Sequence, residues 1–156
     1  MATFSATNRS SAVVAADQQT IWDALTDPDL LVRLTPLLTA IDADGDCWRW
    51  HLMRISALGV GIAPVFTERM VFTPTSQITF SHQPPPGVRE YAGVEGHYEL
   101  TPARLGTQLA VQLTISVELP LPRLSAPAVE RVMSATIDRT GERFSANLLK
   151  HLGLKG

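Results

Sequence analysis

The sequence predicts a single domain of the α+β class, with an antiparallel sheet of about seven strands packed against one long C-terminal helix. From residue 37 onward, apolar residues recur at every second position, as they do in half-buried strands. Turn signals interrupt this pattern roughly every ten residues. Near residue 128 the period becomes helical and stays so for about 25 residues. Because 156 residues are one domain's worth of chain and no repeat or linker divides them, we expect one domain over 1–156.

The N-terminal part predicts one strand and two short helices. Residues 4–15 alternate loosely and are rich in β-branched and small side chains, which favours a strand. Asp17 suits the N-cap of a helix whose apolar residues follow at helical spacing. Asp27 and Pro28 suit the cap and first turn of a second helix, and Pro36 ends it near residue 34.

Six more strands are predicted between and around turn signals such as Asp44-Gly45 and Leu105-Gly106. They cover residues 37–43, 47–57, 65–73, 77–83, 94–102 and 107–119. The last is the clearest, because its apolar and mostly polar residues alternate without a break, as in an antiparallel sheet with one buried face. The long helix after it should end near Gly153, a plausible C-cap.

The composition is more apolar than usual. Charged residues make up 18% of the chain and hydrophobic residues 45%, whereas about 25% charged is typical. The surplus fits a membrane span, an oligomer interface or an apolar interior space. A span needs about 20 consecutive apolar residues, but the longest suitable stretch, residues 55–67, is shorter and contains Gly59, Gly61 and Pro64. We expect no membrane span, while a homodimer interface remains open.

Charge and cysteine content exclude further classes. A net charge of -2 without a cluster of Lys or Arg argues against a nucleic-acid partner. Cys47 is the single cysteine, so an intrachain disulfide or a cysteine zinc site is not expected. The first ten residues lack the basic segment and apolar run of a secretory signal. These features predict a cytoplasmic protein without a metal or cofactor.

A family resemblance rests on residues 13–28, which read VVAADQQTIWDALTDP. They are similar to the V-x-A-x-x-x-x-V-W-x-x-L-x-D opening of the START-like or SRPBCC superfamily, which includes the birch-pollen allergen type, polyketide cyclases and lipid-transfer domains. The predicted order of elements also resembles that superfamily's helix-grip fold over nearly the whole chain. The resemblance implies a curved sheet around the C-terminal helix, with a cavity between them for an apolar small molecule. The matched residues 13–28 include no catalytic group, and a fold alone does not determine a function.

Strand alternation identifies candidate lining residues if the apolar face of each strand faces the helix. For residues 47–57 two faces are open: one carries Trp48, Trp50 and Arg54, the other His51 and Met53, and we favour the tryptophan face. The predicted cavity lining is Trp50, Arg54, Phe66, Glu68, Met70, Phe80, His82, Tyr98, Leu113, Met133, Ile137 and Phe144.

Four of these residues could do chemistry. Glu68 and Arg54 could orient a ligand or act as acid and clamp, or they could simply form an ion pair, because a buried carboxylate needs a cation or a ligand. His82 could transfer protons at the cavity rim or only hydrogen-bond a loop. Tyr98 could anchor one ligand oxygen or bond to the backbone.

A metal site is the weakest candidate. Glu95, His97 and Glu99 share one strand face, but alternation makes it the solvent face and no fourth ligand is evident. The nucleophile and phosphate-loop motifs G-x-S-x-G and G-x-G-x-x-G are absent from the sequence.

The sequence is consistent with three functions. The leading hypothesis is binding or transport of an apolar small molecule, such as a lipid, a quinone or a polyketide-like compound. The alternative is an enzyme of the cyclase, aromatase or dehydratase kind that uses acid-base residues in the same cavity. A third hypothesis is a protein-interaction domain that uses an exposed apolar patch.

Overall fold

A computed structural model describes residues 1–154 of the chain. The strands are β1 (Ala2–Val14), β2 (Leu38–Asp44), β3 (Cys47–Leu52), β4 (Ile55–Ala57), β5 (Val60–Ile62), β6 (Val65–Thr73), β7 (Gln77–His82), β8 (Ala92–Ala103) and β9 (Gly106–Leu119). The helices are α1 (Gln18–Leu25), α2 (Pro28–Leu34) and α3 (Ala126–His151), and a 3-10 turn over Arg123–Ser125 leads into α3.

Seven strands form one curved antiparallel sheet in the order β1-β9-β8-β7-β6-β3-β2. β1 pairs with β9 along its whole length, from Ala2 opposite Leu119 to Val14 opposite Thr107. β1 and β2 are therefore the two edges of an open sheet. The predicted α+β class, with about seven strands and a long C-terminal helix, is confirmed.

Local capping explains where the two short helices begin. The Asp17 carboxylate accepts a hydrogen bond from Thr20 N at 2.8 Å, and the Asp27 carboxylate accepts one from Leu30 N at 3.2 Å. Each bond satisfies a backbone N–H that has no partner within its helix. Pro28 occupies the first turn of α2, where a missing N–H costs nothing.

The long helix α3 covers the β1 edge of the sheet. Ser5 N donates to Glu130 Oε2 at 2.7 Å, and Asn8 Nδ2 donates to Asp138 Oδ1 at 2.7 Å. These contacts from two turns of α3 hold the helix along β1 and occupy part of an edge that would otherwise offer unpaired backbone groups.

The predicted strand over residues 47–57 is wrong in one respect, because the structure divides it into β3 and β4. Leu52 N still donates to Pro64 O at 2.9 Å, but Pro64 has no N–H with which to continue the ladder. The chain then turns away, and β4 pairs with β5 in a separate hairpin. The turn of this hairpin has positive φ at Leu58 (51°) and Gly59 (78°).

Within residues 1–154, no helix is both long enough and apolar enough to cross a lipid bilayer.

Candidate functional site

A cavity of about 280 Å³ lies between the sheet and the C-terminal half of α3. Strands β3, β6, β7, β8 and β9 contribute inward side chains to its wall, and the α2–β2 connection closes one side. The wall is mainly apolar. Its volume is close to the lower end of the roughly 300–1,000 Å³ that ligand pockets occupy.

The structure brings eight of the predicted lining residues to this cavity. Their shared feature is a place on the inward face of a strand or on the face of α3 that packs over the sheet. They are Trp50, Phe66, Glu68, Phe80, Tyr98, Leu113, Ile137 and Phe144.

Two other predicted lining residues lie in different apolar surroundings. Met70 is buried in the core at 2% exposure, without lining the cavity. Met133 lines a second, smaller cavity of about 80 Å³, which the β4–β5 hairpin shares with the N-terminal half of α3. Alternation and helical spacing predict a direction, but they do not predict which of two apolar spaces the side chain reaches.

Arg54 does not take the expected inward position. It follows the end of β3 at Leu52, where alternation stops, and its side chain is exposed. Its guanidinium lies over Gly61 of the hairpin, so that a Cβ at Gly61 would come within 2.6 Å of Arg54 Nε. An ion pair between Arg54 and Glu68, one of the alternatives that the sequence left open, is not among the salt bridges within residues 1–154.

His82 belongs to a hydrogen-bonded cluster near the loop that precedes β8. Its Nε2 lies 2.9 Å from Glu90 Oε1. The Glu90 carboxylate also accepts bonds from Thr67 N and Thr67 Oγ1, both at 2.7 Å. Burial acts to raise the pKa of Glu90, but the bonds from Thr67 and His82 outweigh it and hold that pKa below its usual value. His82 lines a separate pocket with this loop rather than the 280 Å³ cavity.

Glu68 is the most unusual side chain in the cavity wall. It is only 1% exposed, and its Oε2 accepts one long bond, 3.4 Å, from Val94 N. Its Oε1 is buried without a hydrogen-bond partner, and none of the ion pairs among residues 1–154 includes it. Burial raises the pKa of Glu68 to about 8 against the lowering effect of Val94 N–H, and the nearby charges of Glu95 and Glu90 raise it further. Glu68 is thus mainly a neutral carboxylic acid at pH 7.

Two aromatic residues add polar atoms to the same wall. Trp50 stacks on Phe66 with ring centroids 6.5 Å apart, and its buried Nε1 has no hydrogen-bond partner in the part of the chain that the structure describes. By contrast, Nε1 of the neighbouring Trp48 donates to Gly45 O at 3.2 Å. Tyr98 packs its ring against Phe80 at 5.3 Å, and burial raises the pKa of its phenol to about 12, so the hydroxyl stays protonated.

The cavity also has lining residues that sequence reasoning missed. Ser10 on β1, Leu38 at the start of β2 and Gly141 in α3 all contribute to the wall. Gly141 could have been singled out from the sequence, because a glycine inside a helix is destabilising by about 1 kcal/mol relative to alanine and is therefore conspicuous in a predicted helix. A Cβ on Gly141 would meet no atom of residues 1–154 within 4 Å, so packing against these residues does not require the glycine.

The acidic and histidine residues of β8 lie on the opposite face of the sheet. Glu95 Oε1 accepts a bond from His82 N at 3.1 Å, and His97 Nε2 lies 3.5 Å from Glu99 Oε1. Glu95 and Glu99 are exposed. Alternation along β8 therefore assigns its two faces correctly.

Comparison with known proteins identifies the fold. No known family model matches the chain, and no curated protein matches it significantly. Solved structures do match. A protein from Deinococcus radiodurans has a TM-score of 0.63 and 20% identity, with 95% of this chain and 99% of that chain covered. A START superfamily protein from Mycobacterium smegmatis has a TM-score of 0.65 and 18% identity, with 92% and 97% covered.

A third similar structure is the di-domain ARO/CYC StfQ from the steffimycin biosynthetic pathway. It has a TM-score of 0.57 and 16% identity, and the match covers 94% of this chain and 49% of StfQ. The chain thus has the START-like fold that the sequence predicts. At these identities the likeness concerns the fold alone.

Proposed function

We propose that this protein binds an apolar small molecule, such as a lipid, a quinone or a polyketide-like ring compound, and carries or senses it. The observation that carries the proposal is the cavity of about 280 Å³ between sheet and helix, with its mainly apolar wall. A ligand there would replace missing packing contacts, which is how apolar cavities in proteins come to bind apolar molecules.

Native mass spectrometry of freshly purified protein tests this proposal. We expect a bound species that survives gentle ionisation and leaves when the protein is unfolded or extracted with organic solvent. A chain that carries no adduct and also takes up no fluorescent apolar dye would contradict the proposal.

A second candidate function is a cyclase, aromatase or dehydratase, and Glu68 is the observation that favours it. The Glu68 carboxylic acid could protonate the leaving hydroxyl of a β-hydroxyketone so that water departs, the Tyr98 hydroxyl could polarise the carbonyl, and the Glu68 carboxylate left behind could take the α-proton. Incubation with a β-hydroxyketone tests this candidate. Dehydration by the wild type and not by Glu68→Gln would support it, whereas a bound but unchanged substrate would favour the carrier.

Location and partners follow from the same features. We propose a cytoplasmic location because a lone cysteine suits a reducing compartment. A net charge of -2 argues against a nucleic-acid partner. Homodimer formation stays a prediction, which light scattering on the purified protein checks.

A further inference from the structure

The cavity contains two buried polar groups whose hydrogen-bonding capacity is unused. Nε1 of Trp50 and Oε1 of Glu68 both lack a hydrogen-bond partner within residues 1–154, and both side chains line the 280 Å³ cavity. Buried polar atoms in folded proteins almost always have a partner, because an unpaired one costs about 1–3 kcal/mol. Two such atoms in the wall of one cavity indicate that a bound molecule supplies what is missing.

The sheet register makes Trp50 and Glu68 neighbours on adjacent strands. Trp50 lies opposite Phe66 in the β3–β6 pair, and Glu68 is two residues further along β6 on the same face. Glu68 is therefore the diagonal neighbour of Trp50, and diagonal neighbours lie about 7–8 Å apart, within reach of long side chains. A ligand that inserts between the two side chains can therefore contact both.

Both groups act as donors. An indole N–H can only donate. Glu68 Oε2 already accepts from Val94 N, which suits the carbonyl oxygen of a carboxylic acid, so the acid proton belongs on the unpartnered Oε1. A ligand that satisfies the Trp50 N–H and the Glu68 O–H must therefore present a hydrogen-bond acceptor atom to them.

We propose that Trp50 Nε1 and Glu68 Oε1 together bind one carbonyl oxygen of an uncharged apolar ligand, such as a ketone or a quinone. This inference rests on the proposed function and narrows its ligand class. A hydrocarbon leaves both donors unpaired. A carboxylate ligand would bring a negative charge toward an acid whose pKa the charges of Glu90 and Glu95 already raise.

Of the ionisable side chains near the cavity wall, Glu68 is the one whose protonation we expect to change ligand binding. On β7, His82 is bound to Glu90, and on β8, Glu95 points to the other face. Tyr98, also on β8, stays protonated up to about pH 12. Among residues 1–154, α3 presents no ionisable side chain to the cavity.

The test compares two naphthalene probes of equal shape, 2-acetylnaphthalene and 2-isopropenylnaphthalene, in which a methylene group replaces the carbonyl oxygen. We expect wild-type protein at about pH 6.5 to bind the acetyl probe about tenfold more tightly, as two neutral hydrogen bonds allow. Glu68→Leu and Trp50→Phe each remove one of the two bonds and should each reduce this preference to about threefold. Glu99→Gln, an exposed change on the outer face of β8, is the matched control and should keep it.

A pH series adds a readout that loss of packing would not produce. Ionisation of Glu68 removes its donor, so the wild-type preference should fall as pH rises through about 8. Glu68→Gln keeps an N–H donor that does not titrate, and its preference should stay constant. This variant also keeps the proposal testable if Glu68→Leu or Trp50→Phe fails to fold.

The outcomes separate the two proposals. Wild-type protein that binds both probes equally, or a preference that survives both Glu68→Leu and Trp50→Phe, overturns the carbonyl site and leaves the apolar cavity standing. Wild-type protein that binds neither probe also overturns the carbonyl site, and it overturns the proposed function if it carries no adduct and takes up no apolar dye either.

Discussion

Glu68 couples the protonation of one residue to the stability of the whole chain. Its pKa is raised from 4.5 to about 8 by burial, so between these values the folded state holds a proton that the unfolded state releases. The contribution of Glu68 to stability is therefore fully present below about pH 4.5 and is lost as pH rises through about 8. This direction is opposite to that of an ordinary salt-bridged carboxylate.

The first prediction concerns Glu68→Gln, which keeps the shape and removes the titration. The variant should gain stability relative to wild type as pH rises from about 5 to about 9, reaching a difference of about 2–5 kcal/mol. Urea unfolding of both proteins across this range measures the difference. A difference that is constant with pH would mean that Glu68 is ionised in the folded protein.

The second prediction concerns Glu90, whose carboxylate is hydrogen-bonded to Thr67 and His82. Glu90→Ala should destabilise the protein by about 1–3 kcal/mol at pH 7, because buried Thr67 N–H loses its acceptor. The cost should shrink as pH falls below about 4.5, since the depressed pKa of Glu90 stabilises only the ionised form. Denaturant unfolding gives both values, with exposed Glu99→Ala as a control expected within about 0.5 kcal/mol of wild type. Equal stabilities of Glu90→Ala and Glu99→Ala would show that the cluster contributes nothing.

Individual side chains were predictable from sequence only where strand alternation is unbroken. Glu68 and Tyr98 lie inward because β6 and β8 alternate without a break around them. Arg54 was misplaced because the end of β3 depends on Pro64, which belongs to the segment before β6. The bond between His82 and Glu90 depends on a loop path that no periodicity encodes.

Helix α3 is the element that shapes the cavity. Its residues from Ile137 to Leu149 form one side of the wall, and Gly141 leaves an opening in its packing face. A Cβ at this position meets nothing within 4 Å. The glycine thus enlarges the space without being needed for close packing.

The third prediction follows from that geometry. Gly141→Ala should stabilise the protein by about 0.5–1 kcal/mol, because alanine is the better helix former and encounters no clash. Thermal unfolding measures the change. The reverse substitution at an exposed position of the same helix, Ala135→Gly, should lower stability by a similar amount. A destabilised Gly141→Ala would indicate that the helix packs more closely there than the structure shows.

Elements were easier to predict than their pairing. Caps at Asp17 and Asp27 located the starts of α1 and α2, and continuous alternation located β9, because these signals lie within or next to the elements themselves. β4 was merged into the predicted strand over residues 47–57, because the break before Ile55 has no turn residue, and β5 (Val60–Ile62) was not predicted as a strand.

At the scale of the whole molecule, the structure shows where the large apolar fraction of the composition lies. The inward face of the sheet and the packing face of α3 oppose one another, and a cavity of about 280 Å³ remains between them. The order of elements predicted this arrangement through the family resemblance. The volume and the polar atoms in the wall could not be predicted, because they depend on sheet curvature and on the direction of each side chain.

The most direct test of the central claim is a fluorescence titration with 1-aminoanthracene. Wild-type protein should bind the dye saturably at one site, and Gly141→Leu, which fills the cavity from α3, should reduce the affinity at least about tenfold. Ala135→Leu adds the same side chain to the exposed face of α3 and should bind like wild type. Equal binding by Gly141→Leu and wild type, or no binding by wild type, would contradict a ligand site between the sheet and α3.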